Sequence, residues 1–118
     1  MADERPRVSV KNSGGVNIVE FADRKILEEL SISEIGLELA RVATGMGDVK
    51  MLLSFKNVDH LSSAALGMLI TLNKEVAKKK GKLKLSDITP QIYEVFKITR
   101  LNRLFSIYGT AREALADF

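Results

Sequence analysis

The apolar run Val49-Lys50-Met51-Leu52-Leu53-Ser54-Phe55 has the content of a buried strand, and a short connection leads from it into a helical pattern. That pattern runs from Ala64 to Ala77 without a proline. A strand joined this tightly to a long helix directs the chain toward folds in which helices cross over a sheet. The boundary itself, Leu61-Ser62-Ser63-Ala64-Ala65-Leu66-Gly67, sets two adjacent hydroxyls where the strand region ends and the helix begins. A serine at a helix N-terminus can receive a phosphate without loss of stability, because backbone N–H groups and the helix dipole favour negative charge there. The segment points to a small switch module rather than to an enzyme.

The remaining chain repeats the alternation. Arg7-Val8-Ser9-Val10-Lys11 alternates polar and apolar residues, Asn12-Ser13-Gly14-Gly15 is a turn cluster, and Val16 to Phe21 resumes strand composition. Together these predict a hairpin. Asp23 to Glu29 reads either as a short helical turn or as a packed loop. Ser31 and Glu34 have capping-box spacing, with Leu30 and Ile35 placed as a hydrophobic staple. The helix they open buries Ile35, Leu39 and Val42 and ends near Gly45. The helix from about Ser62 reaches Lys80, and Lys82-Leu83-Lys84-Leu85-Ser86 alternates again. Thr89-Pro90 is an N-cap with proline at the first helical position. That helix turns Ile92, Val95, Phe96 and Thr99 inward. Leu104 to Tyr108 forms a last strand, and Thr110 with Glu113 caps a final short helix. The order β-β-α-β-α-β-α-β-α predicts an α/β domain over residues 1–118, a mixed sheet of four to five strands packed with about four helices.

Composition narrows the function. A chain of 118 residues, 46% apolar and 28% charged, matches an ordinary globular domain. Its apolar stretches fall short of the roughly 20 residues a membrane span requires, and Met1-Ala2-Asp3-Glu4-Arg5 opens no export signal. Membrane insertion is not expected, and a cysteine-free chain fits a reducing cytoplasm. The net charge of +3 is concentrated at Lys78-Lys79-Lys80-Gly81-Lys82, with Lys84 beyond. These lysines suit the C-terminal end of a helix and a following turn, and no nucleic-acid partner is expected.

Catalytic constellations are missing. His60 is the single histidine, and no G-x-S-x-G elbow surrounds Ser62 or Ser63, so His60 reads as a loop residue. Asp23, Asp59 and Asp87 lack a calcium-loop spacing, and neither phosphate-cradling glycine motif occurs. No metal and no cofactor are expected.

Ala64 to Leu72 is apolar nearly all round, whereas a surface helix should carry one apolar stripe. Either this helix is unusually buried or its second face awaits a partner. Gly67 inside a helix costs about 1 kcal/mol relative to Ala, which predicts close backbone packing there.

From end to end the chain resembles a STAS domain, and in its free-standing form a bacterial anti-sigma factor antagonist. The family motif Asp-Ser-Ser-Gly-Leu-Gly aligns without a gap on Ser62-Ser63-Ala64-Ala65-Leu66-Gly67, with Ser63, Leu66 and Gly67 kept. Gly81 to Leu85 and Ile92 to Phe105 sit where that family has its next strand and helix. The resemblance implies Ser63 as phosphoacceptor, with Ser62 as the alternative. It implies an ATP-binding, serine-kinase type anti-sigma factor as partner, a serine phosphatase that resets the switch, and transcription regulation by partner switching. Ser62, Ser63, Ala64, Leu66 and Gly67 are the implied partner contacts. Asp23 is either a further contact or a cap for the turn after it. Ser62 stands where the motif has Asp, Ala64 where it has Ser, and Ala65 where it has Gly. An unphosphorylated STAS adaptor in a signalling or transport complex is the alternative reading.

Overall fold

The computed structural model describes residues 7–45 and 47–118. Strands β1 (Val8–Ser13) and β2 (Val16–Phe21) form the expected hairpin. Gly14 and Gly15 make its two-residue turn at φ +58° and +86°, the left-handed geometry that matches strand twist. A two-residue strand β3 (Lys25–Ile26) precedes helix α1 (Glu29–Thr44). Strand β4 (Lys50–Ser54) follows, then a second two-residue strand β5 (His60–Leu61) and helix α2 (Ser63–Lys78). Next come β6 (Lys82–Ser86), α3 (Pro90–Ile98), a 3₁₀ turn (Leu101–Arg103), β7 (Ser106–Tyr108) and α4 (Ala111–Ala116).

The main sheet has the order β1-β2-β4-β6-β7, with β1 antiparallel to β2 and every other neighbour parallel. This is the five-stranded mixed sheet with four helices that the alternation predicts. Met51, Leu53 and Leu85 point to one face, where they join Ile35 and Leu39 of α1, Leu69 of α2 and Phe96 of α3 in a continuous core. On the opposite face α4 lays Ala114 against Val16 and Leu52. Strand β4 is thus buried on both sides, which explains its near-continuous apolar sequence.

Several local expectations are corrected. Helix α1 starts two residues before Ser31, with Glu28 at the N-cap and no side-chain cap bond. The buried stripe Ile32, Ile35, Leu39 and Ala43 sets the phase of the helix, which turns Ser31 inward and leaves Leu30 69% exposed, so no staple forms. In α3 only Ile92 and Phe96 are buried, while Val95 and Thr99 face outward, because nine residues present one narrow stripe. The last strand begins at Ser106, since residues 101–103 close a 3₁₀ turn and leave Leu104 exposed. Lys84 does not extend the exposed lysine run, because its side chain is buried under α4.

Gly81 has a steric reason. A Cβ there would lie 2.6 Å from Val49 Cβ and 2.8 Å from the Val49 carbonyl oxygen. The left-handed residue that ends α2 is Lys80, at φ +57°, and Gly81 N–H donates to the Val76 carbonyl at 2.9 Å. This is the hydrogen-bond pattern of a Schellman stop.

Candidate functional site

The site is built at the carboxyl end of the parallel strands, where β4 gives way to α2. The connection from Phe55 to Ser62 is pinned by β3, the element that the segment Asp23 to Glu29 left undecided in sequence. Lys25 pairs with His60 and Ile26 with Leu61 in parallel register. The Asp59 N–H donates to the Arg24 carbonyl at 2.7 Å, and the Ser62 N–H donates to the Ile26 carbonyl at 3.1 Å. Ile26 and Val58 are fully buried and anchor the two sides of this clamp. His60 is an exposed strand residue rather than a loop residue.

The two serines divide their work. Ser62 takes an extended backbone at φ −85° and ψ 167°, and its Oγ accepts the Ala65 N–H at 3.1 Å. It is half-buried and is the N-cap, as its position predicts. Ser63 is the first helical residue and is exposed. Its hydroxyl has no hydrogen-bond partner among the described residues. No acidic residue occupies the first turn of α2, so the positive end of a 16-residue helix is left without a compensating carboxylate.

The other predicted contacts separate into surface and core. Ala64 and Gly67 are exposed and flank Ser63. A Cβ on Gly67 would meet nothing within 4 Å, so the close packing expected of this glycine is absent. Leu66 is only 7% exposed and lies in the core with Ala65 and Leu69, so it supports the helix from beneath and does not contribute exposed apolar surface. Helix α2 is therefore buried along Ala65, Leu66, Leu69, Leu72 and Val76, and its exposed side starts with the small residues Ser63, Ala64 and Gly67 and continues with Thr71, Lys74, Glu75 and Lys78.

Asp23 does not cap the turn after it. Its carboxylate accepts from Arg7 at 3.2 Å, and Arg7 also donates to Glu34 of α1 at 3.0 Å. The hydrogen bond to Glu34, more than the charge of Asp23, raises the Arg7 pKa above its ordinary value, against a smaller opposing effect of burial. A polar recess of about 350 Å³ lies beside this network, lined by Ala22, Arg24, Lys56, Asn57 and Asp59. Arg24 and Asp59 close it with a 2.6 Å ion pair. The clamp and these ion pairs were not legible as site residues; the buried Ile26 and Val58 are their only trace in the sequence.

With this geometry, comparison with known proteins is informative. The STAS domain family matches residues 16–114, and the chain belongs to that family. BtrV of Bordetella bronchiseptica, which carries the provisional name anti-sigma factor antagonist, is 25% identical over 93 residues, 79% of each chain. The anti-sigma-factor antagonist (STAS) domain protein of Planctomyces limnophilus superposes with a TM-score of 0.85 at 20% identity, covering 93% of this chain and 96% of that one. The Bacillus cell fate determinant SpoIIAA in its phosphorylated form superposes at 0.68 and 12% identity, over 93% and 97% of the two chains. At these identities the structural likenesses establish the fold. No helix among the described residues is long and apolar enough to cross a membrane.

Proposed function

We propose that this chain is an anti-sigma factor antagonist whose binding is switched off by phosphorylation of Ser63. The unmodified domain binds an ATP-binding, serine-kinase type anti-sigma factor in the cytoplasm through the exposed start of α2. Ser62, Ser63, Ala64 and Gly67 form the centre of that surface, and Asp23 lies on its flank. Phosphorylation ends the complex, and a serine phosphatase restores it.

One observation carries this reading. Ser62 spends its hydroxyl on the Ala65 N–H, while the neighbouring Ser63 is exposed at the same helix terminus with its hydroxyl uncommitted among the described residues. Ser63 is thereby favoured over Ser62 as acceptor. A phosphate adds about −1.5 to −2 charges. Inside this domain it meets free N–H groups and a first turn without carboxylates. Across a docked interface it would be desolvated, or would face the partner's own acidic groups, and affinity falls while the fold persists. The names of the relatives support the same partner class.

Ser62 in place of the motif aspartate favours one second reading, an adaptor that is never phosphorylated. Incubation with the cognate kinase and ATP, followed by intact mass measurement and site mapping, separates the two. Phosphate on Ser63 supports the switch. A chain unmodified on both serines supports the adaptor, and phosphate on Ser62 alone moves the acceptor to the alternative serine.

A further inference from the structure

We propose that the end of the domain farthest from Ser63 is an adsorption face for an anionic lipid surface. Helix α2 starts at Ser63 and ends at Lys78, a rise of about 24 Å over its 16 residues. Helices α1, α2 and α3 each lead back to the start of a parallel strand, β4, β6 and β7 respectively. Their C-terminal ends therefore gather at the amino edge of the sheet, where Lys50 and Lys82 are register partners. Arg41 stands in the last turn of α1, Lys79, Lys80 and Lys82 follow α2, and Arg100 and Arg103 follow α3. All of these are exposed, and none forms an ion pair with a described residue.

The acids near this edge are already matched by other lysines. Asp48 pairs with Lys50 at 3.6 Å, Glu75 with Lys78 at 3.4 Å, Glu94 with Lys97 at 3.3 Å and Asp117 with Lys84 at 3.2 Å. What these helix ends leave over is positive. The serine end has the reverse balance. Residues 20–34, from the end of β2 into the start of α1, hold Glu20, Asp23, Glu28, Glu29 and Glu34 against Arg24 and Lys25, with Arg7 bonded to Asp23 and Glu34. A domain polarised in this way meets a negative surface with its amino edge and holds Ser63 away from it.

Exposed aliphatic side chains accompany the cations. Ile98, the last residue of α3, is 79% exposed, and Leu104, just past the 3₁₀ turn, is 48% exposed. They bracket Arg100 and Arg103, and Arg100 takes a left-handed backbone at φ +63° where the chain turns back. Aliphatic groups beside lysines and arginines suit the boundary between headgroups and acyl chains. There the apolar part is buried while the cations meet lipid phosphates. A nucleic-acid groove would instead present aromatic rings for base stacking. The one aromatic residue between Lys97 and Ser106 is Phe105, which is buried, and the lysine run contains none. The chemistry favours a lipid surface, held without a membrane-spanning segment.

Co-sedimentation with vesicles tests this. The native chain should bind vesicles of equal phosphatidylglycerol and phosphatidylcholine at low salt and ignore pure phosphatidylcholine. Roughly 0.5 M salt, which screens surface charge, should release it. Lys79→Glu combined with Arg103→Glu should weaken binding at least about tenfold. Lys25→Glu combined with Arg112→Glu changes the net charge equally at the serine end and should leave binding close to native. Ile98→Ser keeps every charge and should also weaken binding. All the altered positions are exposed, and circular dichroism should show the variants folded; if a charge-reversed pair is not, Ile98→Ser decides. A native chain that stays in the supernatant overturns the proposal, as do equal losses in the two charge-reversed pairs or full binding by Ile98→Ser. Native chain that binds a single-stranded oligonucleotide but no vesicle also overturns it and assigns the basic end to nucleic acid.

Discussion

The backbone N–H of Ser62 donates to the carbonyl of Ile26 at 3.1 Å, so the start of α2 is fastened to a strand of only two residues. That bond fixes where the helix begins, and with it which serine is a cap and which is free. It also joins the serine pair to the segment that carries Asp23.

The division between the serines is measurable as stability. Ser62→Ala removes the cap to Ala65 and should destabilise the domain by about 1 kcal/mol, within the 0.5–2 kcal/mol usual for caps. Ser63→Ala should fall within about 0.5 kcal/mol of the native chain, as exposed substitutions do. Urea denaturation of both variants decides it. Equal losses, or a larger loss at Ser63, would contradict the assignment.

Gly67 separates stability from function. Its Cβ position is open, so Gly67→Ala should stabilise the isolated domain by about 1 kcal/mol through helix propensity. The same methyl stands beside Ser63 on the proposed binding face and should weaken partner affinity. A variant that is both more stable and unchanged in binding would remove Gly67 from the contact surface.

The end of α2 makes the opposite demand. Gly81→Ala forces a Cβ against Val49 and should cost more than about 1 kcal/mol, as overpacking does. Lys80→Gly relieves a left-handed lysine and should gain up to about 1 kcal/mol. Thermal melts of the two variants should shift in opposite directions.

The α/β order, the hairpin, β4, β6 and the helix positions of the two serines were legible because each rests on local chemistry: Gly14-Gly15, a two-sided apolar strand, a serine before an apolar helix. The start of α1 was not, because the inward stripe from Ile32 to Ala43 overrides the capping pattern of Ser31 and Glu34, and Glu34 is drawn instead to Arg7. The β3–β5 clamp escaped because two-residue strands have no period to detect. Lys84 reads in sequence as one more surface lysine, and its burial depends on Tyr108 and Asp117, 24 and 33 residues away.

That lysine gives a pH prediction. Lys84 Nζ donates to the Asp117 carbonyl at 2.7 Å and its carboxylate at 3.2 Å, and lies over the rings of Tyr108 and Phe118. Burial weighs most and disfavours the ammonium, but bonds to Tyr108 and Asp117 together outweigh it and hold Lys84 above the ordinary lysine range. The hydrogen bond from Tyr108, then that from Lys84, holds Asp117 below the ordinary carboxylate range. A lowered carboxyl stabilises above its unfolded value of about 4 and is lost as pH falls through the folded value; a raised lysine stabilises below about 10.4 and is lost as pH rises through its own. The C-terminal segment should therefore stay docked at neutral pH and loosen at both extremes. Ring resonances of Tyr108 should report an acid transition below about pH 4 that Asp117→Asn abolishes. A transition centred near neutrality would contradict this.

The most direct test of the switch is calorimetric titration of the cognate anti-sigma factor with native chain and with chain phosphorylated on Ser63, both verified as folded. The phosphorylated form should bind at least about tenfold more weakly, a loss of about 1.4 kcal/mol or more. Equal affinity of the two folded forms would contradict the account.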